Sequence, residues 1–381
     1  MAVKLSRRAR WAVPGTVVAV TAAVVAALQI PAAQAAPNLP ARSAAQLLAS
    51  VSSDAKVPPL TGTVVESAAL GLPQLPQTGN PTSVTSLLSG SHTVKVYYQD
   101  ATHFRLAVPQ PQSETDVIAN GRKLWLWQST ANSVTEFVPA AGQAPAKEIP
   151  PVQDLTPQQA ASQVVAAVGQ TTLVSVQANV MVAGEPSYEL VLAPRDSRSL
   201  VGRIVIAVDG KYGVPLRVQL FAKGAGSPAF QVGYTSLQFV APNAANFRFA
   251  PPSGASVSVV NLKDQTGTGA AKPAAGLVGT YGKSWLTVAK FPQQALTGGF
   301  GQTASGGKHP NAYSASGQGV GVSSQELLSA LLGSARPVHG SWGSGQLITT
   351  SLVSMLITGG EVYLGAVQPS VLYAAVGHTA S

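Results

Sequence analysis

The chain has 381 residues, 24 of them Lys or Arg against 15 Asp or Glu, and no cysteine. It therefore forms no disulfides and cannot carry the lipid-modified Cys of a bacterial lipoprotein. Only 10% of its residues are charged, while Gly and Pro number 37 and 28, a balance that favours a turn-rich β protein over a helical bundle.

Lys4, Arg7, Arg8 and Arg10 form a basic start, Thr16–Ile30 a fifteen-residue apolar run, and Ala33-Gln34-Ala35 a small-x-small cleavage site. This is the pattern of a secretory signal peptide over residues 1–35, cleaved before Ala36; an uncleaved anchor is the alternative. Cleavage leaves 346 residues with 20 basic and 15 acidic side chains, a net +5 in place of +9. Much of the basicity is then targeting, and a nucleic-acid partner loses its main support. The remaining length suits two domains.

Arg42–Lys56 reads as a helix, with Ala44, Leu47, Leu48 and Val51 at helical spacing. Leu60–Ser67 is a strand, residues 71–81 a Pro/Gly/Gln loop, and Val84–Leu88 a short apolar helix. His92–Tyr98 and His103–Val108 pair around a turn at Gln99–Thr102. Asn120-Gly121 predicts a type I′ hairpin within Asp116–Trp127. Leu124, Leu126 and Val134 are expected on one side of that strand pair, with Trp125 and Trp127 on the other, where they must be covered or bind something apolar.

Asn132-Ser133 begins a turn before Val134–Val138, and Ala140–Asp154 is a connecting loop. Thr156-Pro157-Gln158-Gln159 is a strong helix start, followed by an apolar stripe of Ala161, Val164, Val165 and Val168 and stopped by Gly169. The period then changes to two: Val174–Val182, Tyr188–Leu192, Arg203–Val208, Leu216–Phe221, Phe230–Phe239 and Phe247–Phe249 read as antiparallel strands, ended by Pro251–Gly254. Ser258–Ala275 is a Gly/Ala/Thr/Lys linker. Beyond it come a strand at Ser284–Ala289, a Gly/Ser-rich loop at Gly298–Gly321, and a capping box at Ser323–Glu326 for a helix over Leu327–Leu332. A hairpin of Leu347–Thr358 and Glu361–Val367 across Gly359-Gly360 and a last helix at Ser370–Val376 complete the chain.

Catalytic patterns are absent. His92, His103, His309, His339 and His378 are scattered without metal-ligand spacing. Gly340–Gly345 places Trp342 where a nucleophile elbow would need Ser, and Gly317–Gly321 has no preceding parallel strand for a nucleotide. Glu185 with Glu189, and Glu114 with Asp116, read as solvated surface charges. Arg195, Arg198, Arg203, Lys211, Arg217 and Lys223 are solvent-facing strand residues or contacts for anionic lipid headgroups.

Several separated segments carry a resemblance. They are Leu60-Thr61-Gly62-Thr63-Val64-Val65, Phe104-Arg105-Leu106, Asn120–Trp125, Tyr188–Pro194, Gly213–Arg217 and Phe247–Gly254. In order and spacing the chain resembles the LolA-like lipid and lipoprotein carriers and their RseB/MucB relatives. The likeness covers about Ala41 to Val257. Ser284–Val288, the Gly359-Gly360 hairpin and Gly365–Pro369 echo the C-terminal domain of RseB-type regulators. The closing arginine of LolA has no counterpart, since the corresponding turn reads Gln99-Asp100-Ala101-Thr102.

The resemblance implies an α+β fold: a strongly curved antiparallel sheet, an open half-barrel covered by helices, over residues 36–257. A linker over 258–275 and a smaller β-α-β-β-α domain over 276–381 follow. It implies an extracytoplasmic, non-enzymatic protein without cofactor or metal, holding the acyl chain of a lipid or lipoprotein, with peripheral membrane contact. The alternative partner is a membrane anti-sigma factor; an unrecognised hydrolase is the remote one. The expected cavity walls are Val64, Tyr97, Phe104, Leu106, Leu124, Trp125 and Trp127, then Val164 and Val168 from the helix, and Leu190, Leu216 and Phe230. Leaving a sixteen-carbon chain in water costs on the order of 10 kcal/mol, at about 0.8 per methylene, which apolar walls must offset.

Overall fold

The computed structural model describes residues 37–52, 57–69, 89–138, 156–261, 278–296 and 333–379. The leader, the 71–81 loop, the helix at Val84–Leu88, the loop at Ala140–Asp154, most of the 258–275 linker, the loop at Gly298–Gly321 and the helix at Leu327–Leu332 lie outside the described residues.

Helix α1 (Ala44–Ser52) starts at a capping box that the sequence reading passes over: Gln46 N–H donates to Ser43 Oγ, and Ser43 N–H donates to Gln46 Oε1. Strands β1 (Leu60–Ala69), β2 (Ser89–Asp100), β3 (His103–Gln110), β4 (Ser113–Asn120), β5 (Lys123–Gln128) and β6 (Ser133–Val138) form an antiparallel meander. Helix α2 (Pro157–Ala166) is followed by β7 (Thr172–Val176), β8 (Val180–Val182), β9 (Glu185–Pro194), β10 (Val201–Asp209), β11 (Pro215–Ala222), β12 (Phe230–Gln238) and β13 (Ser256–Asn261). Together these strands make one thirteen-stranded sheet in the order β13-β6-β5-β4-β3-β2-β1-β12-β11-β10-β9-β7, with β8 also on β9. Strand β12 closes against β1, so the two halves of the sequence share a single sheet.

A second sheet, ordered β14-β15-β19-β18-β17-β16, comprises β14 (Gly279–Tyr281), β15 (Val288–Pro292), β16 (Arg336–Gly340), β17 (Gly343–Thr349), β18 (Ser354–Thr358) and β19 (Glu361–Gly365). Helix α3 (Pro369–Thr379) packs Val371, Leu372, Ala375 and Val376 against Val288, Leu356 and Tyr363 of that sheet. Both sheets belong to the unit Leu39–Ser381. Leu352 and Trp285 of the smaller sheet's connections pack against the larger core, and Trp285 Nε1 donates to Thr172 Oγ1 at 2.8 Å. Leu200 N–H donates to Ala366 O, and Gln368 N–H to Arg198 O.

Five local expectations are corrected. The two-residue turn between β4 and β5 is Gly121-Arg122, since Asn120 pairs with Lys123; positive φ falls on Gly121 alone, the pattern of a II′ turn rather than I′. Val134 lies across from Trp127, on the tryptophan side, and Phe137 takes the place beside Leu124. Ser284–Leu286 is a 3-10 turn entered through Ser284 at φ 54°, so the strand begins only at Val288. Phe247 belongs to a 3-10 turn (Ala244–Phe247) capped by Asn243, not to a strand. Finally, Ser258–Asn261, expected as the start of the linker, belongs to a strand, Ser256–Asn261, that returns to the sheet parallel to β6. Its Val257, Val259 and Val260 are β-branched strand formers that composition alone concealed.

Candidate functional site

The larger sheet has two buried faces. One carries Leu60, Val64, Val94, Val96, Phe104, Leu106, Leu124 and their counterparts on β9 to β12, and is covered by Leu47 and Val51 of α1 and Ala161 and Val165 of α2. A cavity of about 170 Å³ remains under the start of α2, lined by Val57, Leu60, Val96, Tyr98, Phe104, Leu106, Thr156, Gln158, Gln159 and Tyr234.

The strand register assembles its walls. Leu60 pairs with Tyr98, Tyr98 with Phe104, and Val96 with Leu106, so alternate residues of three strands converge. Tyr234 comes from β12 beside a bulge between Thr63 and Val64 of β1. Gly62 is required there: a Cβ would lie 2.7 Å from Ser236 O and 2.9 Å from the Tyr234 ring. Helix α2 stands over the opening because Thr156 caps it. Thr156 Oγ1 accepts from Gln159 N–H at 3.4 Å and donates to Gln159 Oε1 at 2.7 Å. Gln158, in the same first turn, donates from Nε2 to the Tyr234 hydroxyl at 3.2 Å. Burial pushes the Tyr234 phenol up to about 12, so it stays protonated and remains a donor.

None of the ten lining residues carries a charge, and none forms a nucleophile–base pair. The cavity can receive an apolar group and offer it a few neutral hydrogen bonds. Its volume is close to the roughly 150 Å³ that holds a benzene and below the roughly 300–1,000 Å³ of most ligand pockets.

The expected wall residues separate into three groups. Phe104 and Leu106 line the cavity. Val64, Leu124, Leu190 and Leu216 lie in the same core but are filled in by neighbours, with Val164, Val168 and Phe230 packed at its border. Tyr97, Trp125 and Trp127 belong to the opposite face, because neighbouring residues of a strand point to opposite sides; it is Tyr98 that enters the cavity. The sequence reading also missed Tyr234 and Gln158. The paired Phe104 and Tyr98 could have indicated the frame; nothing local singles out Tyr234.

On that opposite face, Trp125 and Trp127 are covered by the chain itself. The Phe249 ring lies 5.7 Å from Trp125 and 6.3 Å from Trp127, and Ile118, Val134 and Ala255 complete the cluster. Beside them Asp116 is 1% exposed, contrary to its reading as a surface charge. Arg105 Nη2 bonds both Asp116 Oδ2 and Glu114 Oε1, the latter at 2.9 Å. Burial, with a hydrogen bond that the protonated Asp116 carboxyl donates to neighbouring Glu114, outweighs Arg105 and pushes the Asp116 carboxyl up to about 7.

The basic stretch is engaged within the chain. Arg217 bonds Glu189 at 2.9 Å, Arg198 bonds Asp196 at 2.7 Å, and Arg203 stacks 3.8 Å above Phe221. His103 sits at the β2–β3 turn with Asp100, far along the ladder from His92. Among the described residues no three His, Asp or Glu side chains gather as a metal site, and no helix is long and apolar enough to cross a membrane.

The chain matches no family model and no curated protein. Among solved structures it is similar to the MucA/MucB complex of Pseudomonas aeruginosa, at 14% identity, TM-score 0.39, over 87% of this chain and 96% of that one. An uncharacterized conserved protein of Thermus thermophilus is similar at 12% identity, TM-score 0.32, over 57% and 99% of the two chains. A LolA superfamily protein of Nitrosomonas europaea is similar at 13% identity, TM-score 0.23, over 55% and 99%. At such identities and superpositions these likenesses assign no role, and what the site can do follows from its own residues.

Proposed function

We propose that this chain is an exported, non-enzymatic binding protein that receives the end of an acyl chain, from a lipid or lipoprotein, between α2 and the large sheet. The observation that carries the reading is the cavity itself: mostly apolar walls, no charge among its described lining residues, and an opening between α2 and the sheet. Well-packed interiors hold few voids, because each costs contacts and transfer free energy. In this reading the sheet also bends, and residues from β1 through β6 and β8 through β12 join Leu47 and Val51 of α1 and Ala161 and Val165 of α2 in one core cluster.

At its present size the cavity accepts one end of such a chain, a few carbons long. A longer chain requires α2 to move outward, and its attachment suits that: only Pro157, Ala161 and Val165, three small side chains, are buried along it. Export rests on the leader of Lys4, Arg7, Arg8 and Arg10 before an apolar run and the Ala33-Gln34-Ala35 site.

Native mass spectrometry of the protein isolated from its own envelope tests this. A bound acyl-bearing mass, with saturable binding of a neutral fluorescent probe, is expected. A chain that stays ligand-free and binds no probe would end the reading. The second sheet supports an alternative, a regulator that binds a membrane anti-sigma factor, since its Trp285 and Leu352 reach the core that houses the cavity. Capture of such a factor's outer segment by the intact chain, with no acyl ligand found, favours that alternative.

A further inference from the structure

Two polar pairs border the cavity, and they differ in how fully they are satisfied. The Thr156 hydroxyl accepts from Gln159 N–H and donates to Gln159 Oε1 at 2.7 Å, so its hydrogen bonds are spent within the helix cap. The Tyr234 hydroxyl, buried at 5% exposure, accepts from Gln158 Nε2 at 3.2 Å. Among the described residues its own proton has only Oε1 of the same amide, at 3.5 Å, well beyond the usual O–H···O range of about 2.5–3.0 Å. With the amide placed this way, the buried hydroxyl lacks a close acceptor among the described residues, and both residues line an otherwise apolar space. A buried donor without a partner is unfavourable, so native proteins rarely leave one unless something else fills it.

Among the described residues the wall holds no cation. A buried carboxylate would find no countercharge among the lining residues, whereas a neutral carbonyl needs only a donor. We infer that the Gln158–Tyr234 pair is a carbonyl-recognition point, so that the cavity takes an esterified or amide-linked acyl group in preference to a free fatty acid. This rests on the reading that the cavity holds an acyl chain, and adds the chemical class of that chain's head. Tyr234 is then a specificity residue, and Gln158 positions its hydroxyl.

The test is displacement of the neutral dye N-phenyl-1-naphthylamine from the purified full chain by decane, methyl decanoate and decanoate, each below its micelle concentration, at pH 8. The ester should act at concentrations about tenfold below both the alkane and the acid, which is about 1.4 kcal/mol. Tyr234→Phe keeps the ring and should bring the ester to within about twofold of decane measured on the same variant. Gln158→Leu should move the ester in the same direction. Equal potency of ester and acid, or an ester advantage over decane that survives in Tyr234→Phe, overturns the inference while the cavity reading stands. A dye that does not bind, with none of the three ligands bound by calorimetry, overturns both.

Discussion

The two faces of the large sheet solve the same problem differently. Both bury apolar side chains from the same strands, β4 to β6. The tryptophan face is closed by a segment of coil whose Phe249 ring sits directly on Trp125 and Trp127, while the other is covered by α1 and α2, with Thr156, Gln158 and Gln159 of the α2 start lying over the cavity. A large aromatic fills the space it covers; the polar first turn of α2 spans the space without filling it. The conspicuous aromatic pair is therefore structural, and the hollow lies under that first turn.

That contrast can be broken from either side. The largest effect is expected at Phe247, 2% exposed and beside His103 on the tryptophan face. Phe247→Ala should cost about 3–5 kcal/mol in urea unfolding, within the range for buried Phe. Probe binding in the cavity should be unchanged under native conditions. A variant that loses probe binding while still folded would show that the faces are not independent.

Gly62→Ala acts on the cavity side. Its Cβ would press on Ser236 O and the Tyr234 ring, so a loss of about 1–3 kcal/mol is expected, as for overpacking elsewhere. The same change should lower the preference for an ester, because it moves the Tyr234 ring. Wild-type stability and unaltered ligand preference would contradict that placement of the ring.

A smaller effect concerns pH. Burial raises the Asp116 carboxyl from 3.8 to about 7, so the folded chain binds more protons than the unfolded one across that interval. Stability should then fall as pH rises from about 4 to about 7, by on the order of 1 kcal/mol, and level off above. Asp116→Asn should flatten the urea midpoints measured at pH 5 and pH 7.5. A wild-type midpoint that rises over that interval, with the variant following it, would refute the assignment.

Much of the β architecture was legible, because turn residues and period-two runs report directly on local geometry. Thr156-Pro157-Gln158-Gln159 marks a helix start by chemistry confined to four residues, and the helix begins there. What failed were statements about sides. Tyr97 was chosen over Tyr98, and Val134 was set opposite the tryptophans, because adjacent strand residues swap faces and a one-residue error in frame inverts the assignment. Asp116 looked exposed because neither its pairing with Arg105 nor its cover can be read from neighbours in sequence. Tyr234 lies more than a hundred residues from Val96 and Leu106, and only the closure of β12 on β1 brings them together.

The central claim is that the space between α2 and β1, β2, β3 and β12 is an occupied binding volume. Val96→Phe places an aromatic ring into it, on the face of the sheet opposite the tryptophans. Titration of the neutral probe against the wild-type chain and this variant is the most direct measurement. The account predicts at least a tenfold loss of probe affinity, with unfolding free energy within about 1 kcal/mol of wild type because the added ring enters a void rather than a filled core. Equal probe binding by both chains would contradict it.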